Sequence, residues 1–432
     1  MISAARAVYT AVTYLLLPYA FIRLAWRSRK EPGYGTHVAE RLGFYSDAGS
    51  ARPPLIWIHA VSVGETRAAE PLVRALMARY ADHRILVTHM TPTGRRTGHA
   101  LFGDSVQRCY LPYDLPGAVR RFLEHFQPRL GVILETEIWP NLIHACEARM
   151  LPLCLVNARL SEKSYRGYRR LGALARPSIA RLTAIVAQTV DDARRFTALQ
   201  AQEVAVAGNI KFDVAPPADQ VALGRTWRAA LGARHVLLAA STRDGEEQLV
   251  LDAYAKISGA PLLVIVPRHP QRFDQVAALL EQRGLRYERR SSGRAITEEA
   301  RVVLGDTMGE MPVYYAACDV AFIGGSLLPY GGQNFIEACA IGTPVLFGPH
   351  TFNFAQAAEQ ALAAGAALRV ADHTELARVA ERLMHDEPVR VQMSRSALSF
   401  SLAHQGATQR IMAVLDPLLK LDTEIRTVST LG

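Results

Sequence analysis

The strongest constraint on the fold is a rhythm. Short β-rich runs alternate with helix-patterned stretches, twice over, with one break between the two series. The first series has runs at residues 55–60, 84–88, 130–134, 151–156, 184–187 and 204–207; the second has them at 235–240, 262–266, 301–304, 320–323 and 344–347. Many of these runs are continuously aliphatic, as strands buried on both faces are. Strands regularly separated by helices make βαβ units, and βαβ units make parallel sheets covered by helices. The break is GNIKFDVAPPADQ, where Gly208, Pro216 and Pro217 interrupt regular structure. A chain of 432 residues also exceeds the size at which a single core stops growing, about 250–300 residues. The expectation is an α/β protein of two Rossmann-like domains, residues 31–207 and 208–432, behind an N-terminal segment 1–30, with the last helix able to pack back on the first domain.

Half the residues are apolar, 21% are charged and 8% are aromatic, a folded globular composition rather than a disordered one. Part of the net charge of +9 sits at the front, where Arg23, Arg27, Arg29 and Lys30 follow an uncharged run over residues 7–22. An apolar run closed by cations is the pattern of a membrane anchor whose positive end stays on the cytoplasmic side. A crossing helix needs about 20 apolar residues. This run is shorter and contains Pro18, so insertion into one leaflet fits at least as well as a full crossing. The basic cluster follows the apolar run and no small-residue cleavage site is evident, which argues against a cleaved signal peptide. The other arginines are dispersed and carry no nucleic-acid-binding signature, so no nucleic-acid partner is expected. Cys109, Cys146, Cys154, Cys318 and Cys339 are odd in number and form no CxxC pair; they read as buried thiols in a reducing compartment.

Ligands of open α/β sheets bind beyond the carboxyl ends of the strands, so chemistry is sought there. In IWIHAVSVGE, Glu65 opens a helix with Ala69, Leu72, Val73 and Leu76 inward. A carboxylate there can take a proton from an incoming hydroxyl, or do no more than complement the helix dipole. In LETEIWPN, Glu135 and Glu137 end a strand in an apolar setting, which is costly for a carboxylate unless it is hydrogen-bonded or useful. Lys211 of GNIKFD either balances phosphate charge or is architectural. Arg268, after Pro267 in VPRHPQRF, suits a phosphate at a strand end and equally suits a solvated ion pair. In GDTMGE, Gly309 permits close approach and Met308 offers a polarizable surface to a base; a turn capped by Asp306 or Thr307 is the plainer reading. Ser241, Thr242 and residues 245–247 of STRDGEE form a cap-like helix start. Residues 324–350 run from a strand through a glycine loop into an amphipathic helix opening on Asn334 and Glu337. Such a loop lets backbone amides approach a phosphate and a carboxylate reach a ribose hydroxyl, although glycine loops before helices are also ordinary turns. No DxD-like acidic cluster suited to magnesium is present, and no metal is expected.

In order and spacing, HAVSVGE, ETEIWPN, GNIKFD, PRHPQRF, GDTMGE, GGQNFIEA and GPHTFNF resemble the 3-deoxy-D-manno-octulosonic acid (Kdo) transferases of Gram-negative lipopolysaccharide assembly, over nearly the whole chain. The resemblance implies a GT-B architecture, two Rossmann-like domains facing a cleft with an N-terminal membrane-associated helix. It implies a CMP-Kdo donor held mainly by the C-terminal domain, and the lipid A precursor lipid IVA as acceptor at the cytoplasmic face of the inner membrane. Transfer would invert the anomeric centre without a cofactor. By motif, Glu65 looks like the base, and Glu135 and Lys211 look like groups supporting the transition state. Pro267, Arg268, Met308, Gly309, Glu310, Asn334, Phe335, Ile336 and Glu337 look like the CMP contacts. Against the family pattern, Arg243 and Asp244 stand where many members carry histidine and glutamate. Gln333 replaces a frequent histidine, and Phe335–Ile336 a Pro-Leu pair. Two other readings keep the fold. One is a nucleotide-sugar 2-epimerase acting on UDP-N-acetylglucosamine, against which the N-terminal anchor argues; the other is a catalytically silent binding scaffold, against which Glu65 beside every donor motif argues.

Overall fold

A computed structural model describes residues 3–29, 31–46 and 53–429, with side chains through Lys420. Lys30 of the basic cluster lies outside the described residues. The chain divides into two compact units, Met1–Val214 with Gln405–Gly432, and Ala215–His404. The division falls within the Gly/Pro break, but later than the expected 207/208, and the second unit stops at His404 rather than running to 432. Packing explains both shifts: Ile210, Ala407, Ile411, Leu415 and Leu419 are all buried in the core of the first unit. Asp213 accepts the backbone N–H groups of Gly406 (2.6 Å) and Thr408 (2.5 Å), so the chain leaves and re-enters the first unit at adjoining points.

The first unit holds a seven-stranded, all-parallel sheet of β1 (Leu55–His59), β2 (Arg84–His89), β3 (Gln107–Tyr110), β4 (Leu130–Leu134), β5 (Leu153–Ala158), β6 (Ala184–Ala187) and β7 (Val204–Val206), in the order β3-β2-β1-β4-β5-β6-β7. Alternate residues of β1 serve opposite faces, as the two-residue period of a strand requires. Ile56 and Ile58 join Leu72, Val73 and Leu76 of the helix Val63–Arg79, whereas Leu55 and Trp57 join Phe122, Ile133 and Leu155 on the other side. The second unit holds a like sheet of β8 (Val236–Thr242), β9 (Leu262–Pro267), β10 (Tyr287–Arg289), β11 (Val302–Leu304), β12 (Val320–Ile323), β13 (Val345–Phe347) and β14 (Ala367–Arg369), in the order β10-β11-β9-β8-β12-β13-β14. Strand order reverses once in each sheet, between β1 and β4 and between β8 and β12. At such a reversal the connections leave to opposite faces and open a crevice at the strand carboxyl ends.

The N-terminal helix Ala4–Ser28 runs through Pro18 without a break. One side is tied to the first unit: the Tyr9 hydroxyl donates to Asp114 (2.9 Å), Thr10 donates to Asn141 (3.1 Å), Phe21 meets Tyr113 edge-on and Leu24 is buried. The other side shows Leu15 (79% exposed), Ile22 (68%), Tyr19 and Trp26. By length and composition the helix could cross a membrane, with a mean hydropathy of 1.4 over its most apolar stretch. All five cysteines are free thiols, and four are buried.

Candidate active site

In the first unit the motif residues gather at the crevice between β1 and β4. After β1 the chain turns through residues 60–62 into the helix Val63–Arg79, whose N-cap is Ser62. Glu65 is the third helical residue and folds back: Oε2 accepts the Val61 N–H (2.8 Å) and Oε1 accepts the Ser62 hydroxyl (3.0 Å). A glutamate that only complements a helix dipole sits in water at its ordinary pKa or below. Glu65 does not. Burial pushes its pKa up to about 7, the charges of Glu135 and Glu137 push the same way, and the Val61 and Ser62 donors only partly oppose them.

Across the crevice, Glu135 follows the last residue of β4 with φ at 61°, a left-handed conformation that costs a non-glycine residue about 1–3 kcal/mol and is typical of functional sites. Its Oε1 takes the Lys211 ammonium at 2.9 Å. Lys211 belongs to the short 3-10 turn Ile210–Asp213, capped by Asn209 and seated by a bond from the Ile210 N–H to Asn157 Oδ1 (3.1 Å) at the end of β5. Glu137 accepts from Trp139 Nε1 (2.9 Å), and burial together with the Glu135 charge raises its pKa. The crevice therefore carries three acids and one lysine, and burial leaves Glu65 with a pKa of about 7.

In the second unit the candidate donor residues lie at the carboxyl ends of β9, β11 and β12. Pro267 is buried at the end of β9. Arg268 follows, with its N–H on Thr242 O (3.0 Å) and its Nε on Gln333 Oε1 (3.2 Å). Beyond β11, Gly309 turns with φ at 86° and Met308 is 60% exposed. Glu310 is held in a bidentate pair with Arg290 (2.8 and 3.1 Å), while Asp306 binds Ser291 instead of capping the next helix.

The helix expected to open on Asn334 is shorter than the sequence suggests, Ile336–Ile341. Asn334 stands before it, accepting the Ile336 N–H and donating to Glu337 (2.9 Å). Phe335 and Ile336 are 1% exposed, and Phe335 packs on Phe347 and Phe354, so their side chains are core and only their backbone can face a ligand. The Tyr315 hydroxyl donates to Asn334 O (3.4 Å), joining this segment to the one after β11.

Of the two readings open for the glycine loop after β12, its first part fits the turn: the N–H groups of Gly325, Ser326, Leu327 and Leu328 all bond the buried carboxylate of Glu246. The sequence reading saw Glu246 only as part of a helix start, and it missed Asn157 and Arg290 altogether. No local pattern announces such partners, because they act on segments distant in sequence. Among the described residues no group of three or more His, Cys, Asp or Glu side chains is placed to hold a metal ion.

Two doubly wound α/β units, each with candidate residues beyond the carboxyl ends of its parallel strands, define a GT-B-like architecture. The solved Anabaena protein HepE, in complex with UDP-glucose, matches with a TM-score of 0.60 at 15% identity, covering 84% of this chain and 99% of that one. The fold is of the GT-B class. The sequence is more particular. The family described as 3-Deoxy-D-manno-octulosonic-acid transferase (kdotransferase) matches over residues 36–214. The 3-deoxy-D-manno-octulosonic acid transferase of Bordetella pertussis is 44% identical over 430 residues, 96% of this chain and 99% of the relative. That of Haemophilus influenzae is 36% identical over 425 residues, again 96% and 99%. This chain belongs to the Kdo transferase family of glycosyltransferases.

Proposed function

We propose that the enzyme transfers Kdo from CMP-Kdo to the lipid A precursor lipid IVA in lipopolysaccharide core assembly, in one inverting displacement with Glu65 as general base and without metal or cofactor. The observation that carries this reading is the setting of Glu65. A general base works best with a pKa near the operating pH, and burial beside two further carboxylates lifts this one to about 7.

Glu65 takes the proton of an acceptor hydroxyl as that oxygen attacks the anomeric carbon of Kdo. The bond from that carbon to the cytidylate oxygen breaks with its electron pair, and CMP departs from the opposite face. Charge gathers on the departing phosphate, and Arg268 and Lys211 are the cations to meet it. In this scheme Glu135 holds the ammonium in place through the 2.9 Å pair. The second unit holds the nucleotide: Pro267 and Arg268 at the phosphate, Met308 to Glu310 beside the base, and Asn334 to Glu337 at the ribose.

In this proposal the enzyme works at the cytoplasmic face of the inner membrane, held there by its N-terminal helix. Its polar ties at Tyr9 and Thr10 and its exposed Leu15 and Ile22 support a helix lying in the interface, apolar side down, with Arg23 and Arg27 toward lipid headgroups.

Glu65→Gln tests the core of the proposal. Transfer from CMP-Kdo to lipid IVA should fall about 10²–10⁴-fold while CMP affinity is unchanged; undiminished transfer removes Glu65 from the mechanism.

A further inference from the structure

Glu246 has no part in the scheme above, yet it is among the most fully engaged side chains of the second unit. It is the first residue of the helix Glu246–Tyr254 that follows β8, and it is completely buried. Its Oε1 accepts the N–H groups of Ser326 (2.9 Å), Leu327 (3.0 Å) and Leu328 (3.5 Å), and its Oε2 accepts those of Gly325 and of Arg243 (2.9 Å). Four of the five donors are consecutive residues of the loop after β12, on the other side of the strand-order reversal. Successive N–H groups converging on one point form an anion nest. At such a crevice the nest ordinarily receives a ligand's phosphate; here the protein has placed its own carboxylate in it.

The geometry reaches further into the candidate donor residues. The same loop continues through Gly331 to Gln333, which accepts from Arg268. The next residue, Glu247, is 1% exposed. It takes the Thr242 hydroxyl (3.0 Å) and the Arg272 guanidinium (2.8 Å), Arg272 lying in the segment after β9. Two adjacent carboxylates thus hold the loops after β12 and β9. A buried carboxylate is costly unless its lone pairs are met. Five donors meet those of Glu246, and in return its carboxylate ties four consecutive N–H groups of the loop to one point.

We infer that Glu246 is a positioning residue of the donor site: an internal stand-in for an anionic ligand that keeps residues 325–328 folded before the donor arrives and, by occupying their amides, leaves the donor phosphate to Arg268. The inference rests on the reading that the second unit holds CMP-Kdo. A loop already ordered adds no ordering entropy to the cost of binding; without Glu246, donor binding must order it.

The test uses the full chain, wild type and Glu246→Ala. In the wild type, amides 325–328 should be protected from hydrogen exchange without CMP. In Glu246→Ala they should exchange freely and regain protection when CMP is added. The KM for CMP-Kdo should rise about ten- to a hundredfold, with the KM for lipid IVA unchanged, and formate should restore part of the donor KM in the variant and have no effect on the wild type. An unchanged donor KM, or a lower melting temperature with the folded fraction kinetically normal, overturns the inference. If the variant does not fold, the wild-type exchange decides: free exchange of these four amides without CMP overturns it, and protection supports it. A wild type that binds CMP with a protected loop but transfers no Kdo sinks the transferase reading and leaves the role of Glu246 standing.

Discussion

Glu65 is held by opposing influences. Burial and two like charges favour the proton, while the Val61 and Ser62 donors favour the anion, and the balance falls at about 7. A base must be deprotonated to act, so kcat/KM should climb as pH rises through 7 and level off above it. Glu135→Gln removes one like charge and should move that limb to lower pH while lowering the plateau, because Lys211 loses its partner; a pH–rate profile reads both effects. Stability has the opposite sign. The folded chain holds this proton more tightly than the unfolded chain, so the contribution of Glu65 is fully present below pH 4.5 and lost as pH rises from there through about 7. Glu65→Gln should therefore gain more in melting temperature above about pH 7 than at about pH 4. Some of this site was legible from residues: Glu65 stands at the start of the helix after β1, where a carboxylate meets the carboxyl end of a strand. The rest was not. The Lys211–Glu135 pair joins residues 76 positions apart, and nothing near Glu246 in sequence hints that it grips the loop after β12.

At the level of elements, the interior strands were legible because burial on both faces leaves unbroken aliphatic runs. The three missed strands, β3, β10 and β14, are all sheet edges, where partial exposure admits sequences such as QRCY and YER that carry no such signal. Two glycines, one after β12 and one after β13, have a physical warrant that only the fold reveals. A Cβ at Gly331, whose φ is 91°, would lie 2.4 Å from the Phe352 ring, and one at Gly348 would lie 2.3 Å from Ser326 O. GPHTFNF therefore packs onto the loop that Glu246 holds. Gly348→Ala should cost about 1–3 kcal/mol and weaken CMP binding, seen as a lower melting temperature and a weaker calorimetric affinity. Gly167, inside the helix Glu162–Arg170 with open space around it, should behave oppositely: Gly167→Ala should stabilise by about 0.5–1 kcal/mol and leave CMP affinity alone.

For the whole molecule, the proposal gives catalysis and location to different parts of the chain, with location assigned to the N-terminal helix. Asp114 keeps the N–H groups of Asn141 and Leu142 (2.9 and 2.8 Å) when Tyr9 is gone, so the first unit retains its buried acid's main partners. Deleting residues 1–30 should leave a folded, more soluble chain that binds CMP but no longer sediments with anionic vesicles; a truncated chain that cannot fold would make the helix part of the core. The clasp of Asp213 on residues 406 and 408 carries another consequence. Because both severance points lie side by side and each sheet is complete within its own unit, the stretch 215–404 is a cassette. Its ends can be rejoined or permuted without cutting a strand, so exchanging one contiguous block between relatives would show whether sugar-nucleotide preference travels with it.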